Sequence, residues 1–185
     1  MIKCQAYFAV GPQHTCTLFA NKKVKCFGDG RYGALGYENT NNIGSSSSHM
    51  GNNLPFVNFG TNILVSSIHS FGLAGHSCII IETSQLMKCW GLNNLYQLGY
   101  NDNINRGSDV DTMGDKLPIL NLGSESKVLQ ISVGGHTCAI RIDKELRCWG
   151  SNDYGKLGLG TTIKPIPTIL PEFLAIKVDS DITKK

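Results

Sequence analysis

Between residues 127 and 150 apolar and polar side chains alternate in short bursts: KVLQISVGG (127–135), HTCAIRI (136–142) and LRCWG (146–150), with the polar triplet DKE (143–145) before the last. A period of two predicts strands, because successive side chains of an extended backbone point to opposite faces. DKE then reads as a hairpin turn, and the Gly-rich SNDYGKLGLG (151–160) as a corner leading to a fourth strand that begins at PIPTIL (165–170). Two prolines fit that strand at a sheet edge, where backbone N–H groups are spare.

The same arrangement occurs three times. HTCTLFANKKVKCFGDGRYGALG (14–36), HSCIIIETSQLMKCWGLNNLYQLG (76–99) and HTCAIRIDKELRCWGSNDYGKLG (136–158) share His-Thr/Ser-Cys, an apolar hairpin, Cys-aromatic-Gly and a closing Leu-Gly. His14, His76 and His136 lie 62 and 60 residues apart. A four-stranded sheet cannot bury both faces alone, and a unit of this length suits a propeller blade that stacks on its neighbours. The expected fold is all-β, a β-propeller segment of three four-stranded blades. The blades are expected at about 5–62, 63–123 and 124–175, followed by a tail at 176–185.

The first two units carry a loop, 37–53 and 100–116, that the third lacks. Loops inserted at one point of successive repeats emerge on one face, and such faces bind. Candidate partner contacts are therefore Tyr37, Asn39 and Met50 in the first loop, and Tyr100, Asp102, Arg106, Asp109, Asp111 and Met113 in the second. The second loop invites a calcium reading, with Asp102, Asp109, Asp111 and Asp115 close together. It lacks the alternating ligands, central Gly and closing Glu of an EF-hand. The equivalent positions Asn39, Ser46, Ser48 and Asn52 build the same loop without acids, so its architecture does not depend on a metal.

Composition narrows the function classes. Over 185 residues, 41% hydrophobic and 17% charged is a globular balance. No stretch approaches the length of a membrane span, and MIKCQAYFAVGPQ at the N-terminus has no long apolar core with a cleavage site. The default expectation is an intracellular chain, cytoplasmic or nuclear, without a membrane. A net charge of +3 with scattered lysines argues against nucleic acid as the partner. No P-loop, G-x-S-x-G, kinase or H-E-x-x-H motif is present, so no catalytic residue and no cofactor is assigned.

The cysteines invite two chemistries. Metal is disfavoured, because zinc sites bring cysteines in close pairs and each blade here offers at most three ligands. If the hairpins fold about Asn21, between Thr83 and Ser84, and about Asp143, then Cys16 opposes Cys26, Cys78 opposes Cys89 and Cys138 opposes Cys148. Such pairs are close enough for disulfides, and in a reducing cytosol they would be small buried thiols beside Leu18, Ile80 and Ile140. The sequence leaves both open, with Cys4 over. A residue repeated in every blade is read as structural. His14, His76 and His136 are expected to bond backbone at the bend, Trp90 and Trp149 to pack between blades, and Gly36, Gly99 and Gly158 to close each unit.

GGHTCAIRIDKELRCWGSNDYGKLG (134–158) closely resembles the repeat of the regulator-of-chromosome-condensation family, and the resemblance extends over about 5–175. It implies a β-propeller, normally of about seven blades, that works by binding macromolecules. The founding member is a guanine-nucleotide exchange factor for the small GTPase Ran and docks on nucleosomes. Other members are interaction modules in ubiquitin ligases and kinases, and some bacterial ones are secreted inhibitors. Here Pro12-Gln13 replaces Gly-Gly and Phe27 replaces Trp, making the first blade the most divergent. Three blades leave two open faces. The readings, in order of preference, are part of a larger product, self-association through the open edges, and an open crescent. The expected function is a protein-binding scaffold. The alternatives are exchange on a Ran-like GTPase and a secreted, disulfide-stapled recognition propeller.

Overall fold

The computed structural model describes residues 7–71 and 75–163. Cys4, the strand beginning at 165–170 and the tail at 176–185 lie outside the described residues. Strands β1 (Tyr7–Val10), β2 (His14–Leu18) and β3 (Val24–Gly28) form the first antiparallel sheet. β4 (Val65–His69), β5 (His76–Ile81) and β6 (Met87–Gly91) form the second; β7 (Val128–Val133), β8 (His136–Arg141) and β9 (Leu146–Gly150) form the third. The all-β expectation holds, and each sheet runs in sequence order.

Among the described residues each sheet has three strands, where the pattern predicts four and places the fourth of the third blade outside those residues. In the first two blades the segment after the loop meets the sheet through one backbone bond, Val57 N–H to the Val24 carbonyl (2.8 Å) and Leu120 N–H to that of Met87 (3.0 Å). Pro55 and Pro118 have no N–H to give. The next edge groups, on Cys26 and Cys89, are occupied by the hydroxyls of Tyr37 and Tyr100. A side chain thus takes the bonds a fourth strand would need.

The hairpin registers pair Cys16 with Cys26, Cys78 with Cys89 and Cys138 with Cys148. The middle hairpin is one residue longer, and its turn absorbs the difference: Gln85 N–H reaches the carbonyl of Ile81, where Lys22 reaches that of Phe19. Lys22, Gln85 and Lys144 take left-handed backbone at φ 63°, 58° and 69°.

Burial along the central strands shows how the blades stack. β5 is buried at every position; β2 buries His14, Cys16 and Leu18; β8 buries the opposite set, Thr137, Ala139 and Arg141. In the first two blades the face that carries the Cys pair packs on the following blade. In the second and third the other face carries Trp90 or Trp149 before the Gly and packs on the preceding blade. Two apolar cores result. The first joins Cys16, Leu18, Val24 and Cys26 to Ile79 and Trp90, and the second joins Cys78, Ile80, Met87 and Cys89 to Ala139 and Trp149. Burying side chains of this size contributes about 1.5–3 kcal/mol each, so the stack supplies the stability that one sheet lacks.

Candidate functional site: the blade junctions and the loop face

At each junction a His reaches the residue after the next His. His14 Nε2 lies 2.9 Å from Ser77 Oγ, and His76 Nε2 lies 2.8 Å from Thr137 Oγ1. Thr137 gives its only hydroxyl hydrogen to the Gln97 carbonyl (2.8 Å), so the His76 nitrogen must be the donor. Ser70 likewise gives its hydrogen to the His76 carbonyl (3.2 Å) and accepts from His14 at 3.2 Å. Both imidazoles therefore carry a hydrogen on Nε2. Burial drives the His14 pKa down to about 4, against a smaller upward pull from Asp29. The sequence assigns these rings to the backbone of the bend; the structure gives their Nε2 atoms to hydroxyls across the junction.

The indoles complete the junction. Trp90 Nε1 donates to the Ala34 carbonyl and Trp149 Nε1 to that of Gln97, each at 3.0 Å. Those carbonyls lie two residues before Gly36 and Gly99, which take left-handed backbone at φ 74° and 81°, as Gly158 does at 70°. A Cβ on Gly99 would lie 2.7 Å from Trp149 Nε1, so the glycine makes room for the indole. Lys88 Nζ crosses the junction to the Phe59 carbonyl (2.7 Å) and also takes the Gly114 carbonyl (3.2 Å) of its own blade.

The three Cys pairs form disulfides, Cys16–Cys26, Cys78–Cys89 and Cys138–Cys148. The first two are fully buried, whereas Cys138 is half-exposed and Cys148 is 9% exposed, because no blade among the described residues covers that face. His136 is also half-buried, and burial first, then the nearby Lys156 charge, lowers its pKa.

The two loops lie together. One Glu38 carboxylate oxygen accepts from the N–H groups of Thr112 (3.0 Å) and Met113 (2.9 Å), and Asn39 N–H reaches the Gly107 carbonyl (3.1 Å). Asp102 holds Arg106 through two oxygens at 2.8 and 2.7 Å and accepts from Asn93. Burial pushes its carboxyl up, but these bonds and the Arg106 charge outweigh that and leave its pKa lowered. Asp115 accepts from the N–H and hydroxyl of Thr61, which lower its pKa. Two of the four loop acids are thus spent on separate structural bonds. Among the described residues no group of three or more His, Cys, Asp or Glu is placed to hold a metal.

The candidate contact residues divide accordingly. Met113 is buried in the first core, and Tyr37 and Tyr100 are partly buried. Asn39, Met50, Asp102 and Arg106 are intermediate, while Asp109 and Asp111 face solvent, as do Ile104 and Val110 of the same loop. Sequence reasoning gave no role to Asn93 and Asn152. Each accepts from a backbone N–H five residues on, Leu98 (2.9 Å) or Leu157 (3.1 Å), and donates to carbonyls of the returning chain. Their place two residues after the Gly that follows each Trp is the signal that could have found them. Gly30 stands there in the first blade.

A model of the regulator of chromosome condensation (RCC1) repeat matches residues 128–156. The human protein described as probable E3 ubiquitin-protein ligase HERC6 is 28% identical over 153 residues, covering 82% of this chain and 13% of its own length. Human WBSCR16 superposes with a TM-score of 0.67 at 16% identity, over 94% of this chain and 39% of that one. Prp20p from Saccharomyces cerevisiae, a structure described together with its binding to Gsp1p and histones, superposes with a TM-score of 0.64 at 17% identity, over 95% and 39%. This chain thus spans well under half the length of each. Its sheets and junctions make it a three-blade stretch of β-propeller, and residues 128–156 match the regulator of chromosome condensation repeat.

Proposed function

We propose that the protein is a binding scaffold that engages a protein partner through the face formed by loops 37–53 and 100–116. The observation that carries this reading is the bonding of the two loops into one surface, Glu38 to Thr112 and Met113. On loop 100–116 Ile104 is 61% and Val110 76% exposed, Val110 between the exposed Asp109 and Asp111. Exposed apolar side chains on a loop that also exposes acids suit a partner that offers apolar side chains bordered by Lys or Arg. The test replaces Ile104 and Val110 with Asp and, separately, exchanges both loops for short Gly-Ser turns. Binding of a partner captured by the parent chain should fall in both; unchanged capture sinks the reading.

A second reading is nucleotide exchange on a Ran-type GTPase, supported by the fold shared with Prp20p and its described binding to Gsp1p. Nucleotide release from such a GTPase tests it, and no acceleration leaves the scaffold standing alone. A third is a stapled recognition propeller of an oxidising compartment, supported by the three disulfides. Alkylation of the native protein followed by mass measurement tests it, because six blocked thiols would exclude it.

A further inference from the structure

Between the first two blades lies a pocket of about 280 Å³. Pro12, Tyr32 and Ala34 form its walls on the first blade, Gly75 and Leu92 on the second. All belong to one interior junction, and the corner that carries Tyr32 is fixed against the second loop. A Cβ on Gly33 would lie 2.2 Å from the Ser108 nitrogen, and Asn39 N–H reaches the Gly107 carbonyl at 3.1 Å. The pocket therefore adjoins the surface of loop 100–116.

Gly75 keeps the space open. A Cβ built there would touch Leu92 at 3.8 Å and Tyr32 at 3.9 Å, so a longer side chain would grow into the gap between the blades. Tyr32 is 47% exposed, and its phenol has no hydrogen-bond partner among the described residues, so ring surface stays free to cover an occupant. At 280 Å³ the space falls just below the ~300–1,000 Å³ of sites that enclose a drug-sized ligand, and it suits a single side chain.

The charges that line this pocket are spent on each other. Asp29 accepts from the Arg31 N–H at 3.0 Å and from its guanidinium at 2.7 Å, and another guanidinium N–H goes to Gln13. The Ala34 carbonyl is taken by Trp90, and the His14 Nε2 hydrogen by Ser77 and Ser70. A charged side chain entering here would meet its like charge together with its opposite, and would give up water for groups already bonded. An apolar one would lie against the Tyr32 ring, Pro12 and Leu92 and gain by leaving water. On the binding reading above, we infer that this pocket receives one apolar side chain of the protein partner, an anchor seated between Tyr32 and Leu92 while the rest of the partner lies on the loops.

N-acetyl-leucine amide is the probe, followed through the backbone amide signals of the full chain. Expected are saturable shifts at Tyr32, Gly75 and Leu92, and none with the capped amides of lysine or glutamate. Gly75→Leu fills the space from the chain itself, at a φ outside the left-handed region, and should abolish the shifts. Tyr32→Gly removes a wall and should weaken the probe roughly tenfold or more, while Tyr32→Phe keeps the ring and should bind as the parent does. Tyr32 already takes φ 59°, which glycine adopts freely, and a melting curve confirms that each variant folds. No saturable shift with the leucine amide overturns the inference, as do equal shifts with the charged amides or binding that survives Gly75→Leu. Partner capture that falls when both loops are exchanged but is untouched by Gly75→Leu leaves the scaffold standing and removes the pocket from it.

Discussion

The phenol oxygen of Tyr100 lies 2.8 Å from the amide nitrogen of Cys89, from which it accepts, and 3.0 Å from the carbonyl oxygen of the same residue, to which it donates. Tyr37 does the same for Cys26, at 3.0 Å on both sides. The N–H and carbonyl of one residue on an antiparallel strand point the same way. Because those of Cys89 point outward to Tyr100, Cys78 and Cys89 form a non-hydrogen-bonded pair, the closer of the two kinds. The hydroxyl outside and the disulfide inside thus fix opposite sides of one residue. Burial first, against the backbone bond, raises the Tyr37 pKa to about 12 and pushes that of Tyr100 higher still, so both stay neutral donors.

Replacing Tyr100 with Phe leaves two backbone groups without their partner and should cost about 1–3 kcal/mol. Tyr37→Phe should do the same in the first blade. Urea unfolding midpoints of the two variants check this, and loss of less than about 0.5 kcal/mol in both would mean that water replaces the phenol.

Stability should fall with acid through the His14 window. His14 titrates near 6.5 when unfolded and at about 4 when folded, so between these values the unfolded chain binds the extra proton. Its contribution is complete above pH 6.5 and is lost as pH falls towards 4, a change on the order of 3 kcal/mol. His14→Gln, which can still donate to Ser77, should flatten the unfolding free energy over that range. A slope unchanged by the substitution would remove His14 as its source.

Gly99→Ala should be among the costliest small changes, roughly 2–4 kcal/mol, because it combines left-handed backbone with a clash against the Trp149 indole. Gly160→Ala is the control, at φ 69° with nothing within 4 Å of the added carbon, and should cost only about 1 kcal/mol. Equal thermal shifts for the two would show that the clash relaxes freely.

Graded reduction should open the disulfides in an order set by cover. Cys138–Cys148 lies on the half-exposed third-blade face, so it should be alkylated first, while Cys16–Cys26 and Cys78–Cys89 resist until the blades part. Each closes a loop of 10 or 11 residues, worth about 3 kcal/mol in the chain-entropy account. Peptide mapping after brief treatment with a thiol reductant reads the order directly.

The hairpins were legible because alternation, turn residues and three-fold repetition agree; the opposition of Cys138 and Cys148 follows from counting to Asp143. Three features were not legible, for physical reasons. The fourth strand reads as a strand from Leu54 and Leu117 onward, yet its edge positions are occupied by Tyr37 and Tyr100, and a side-chain bond leaves no periodic trace. Met113 and Tyr100 sit in a loop and read as contact residues, but loop 100–116 folds back and Met113 ends in the first core. The partners of His14 and His76 lie in the next repeat, and an inter-repeat bond is visible only once stacking brings Ser77 and Thr137 into place.

The bond from His14 to Ser77 gives the molecule a direction that the sheets alone do not. Every unit brings one imidazole and spends one hydroxyl, so a whole unit duplicated in tandem arrives with its chemistry already matched at both ends. A unit inserted in any other phase would place donor against donor. Growth or loss of such a chain is therefore expected in whole repeats, and the number of blades is left to the angle between them.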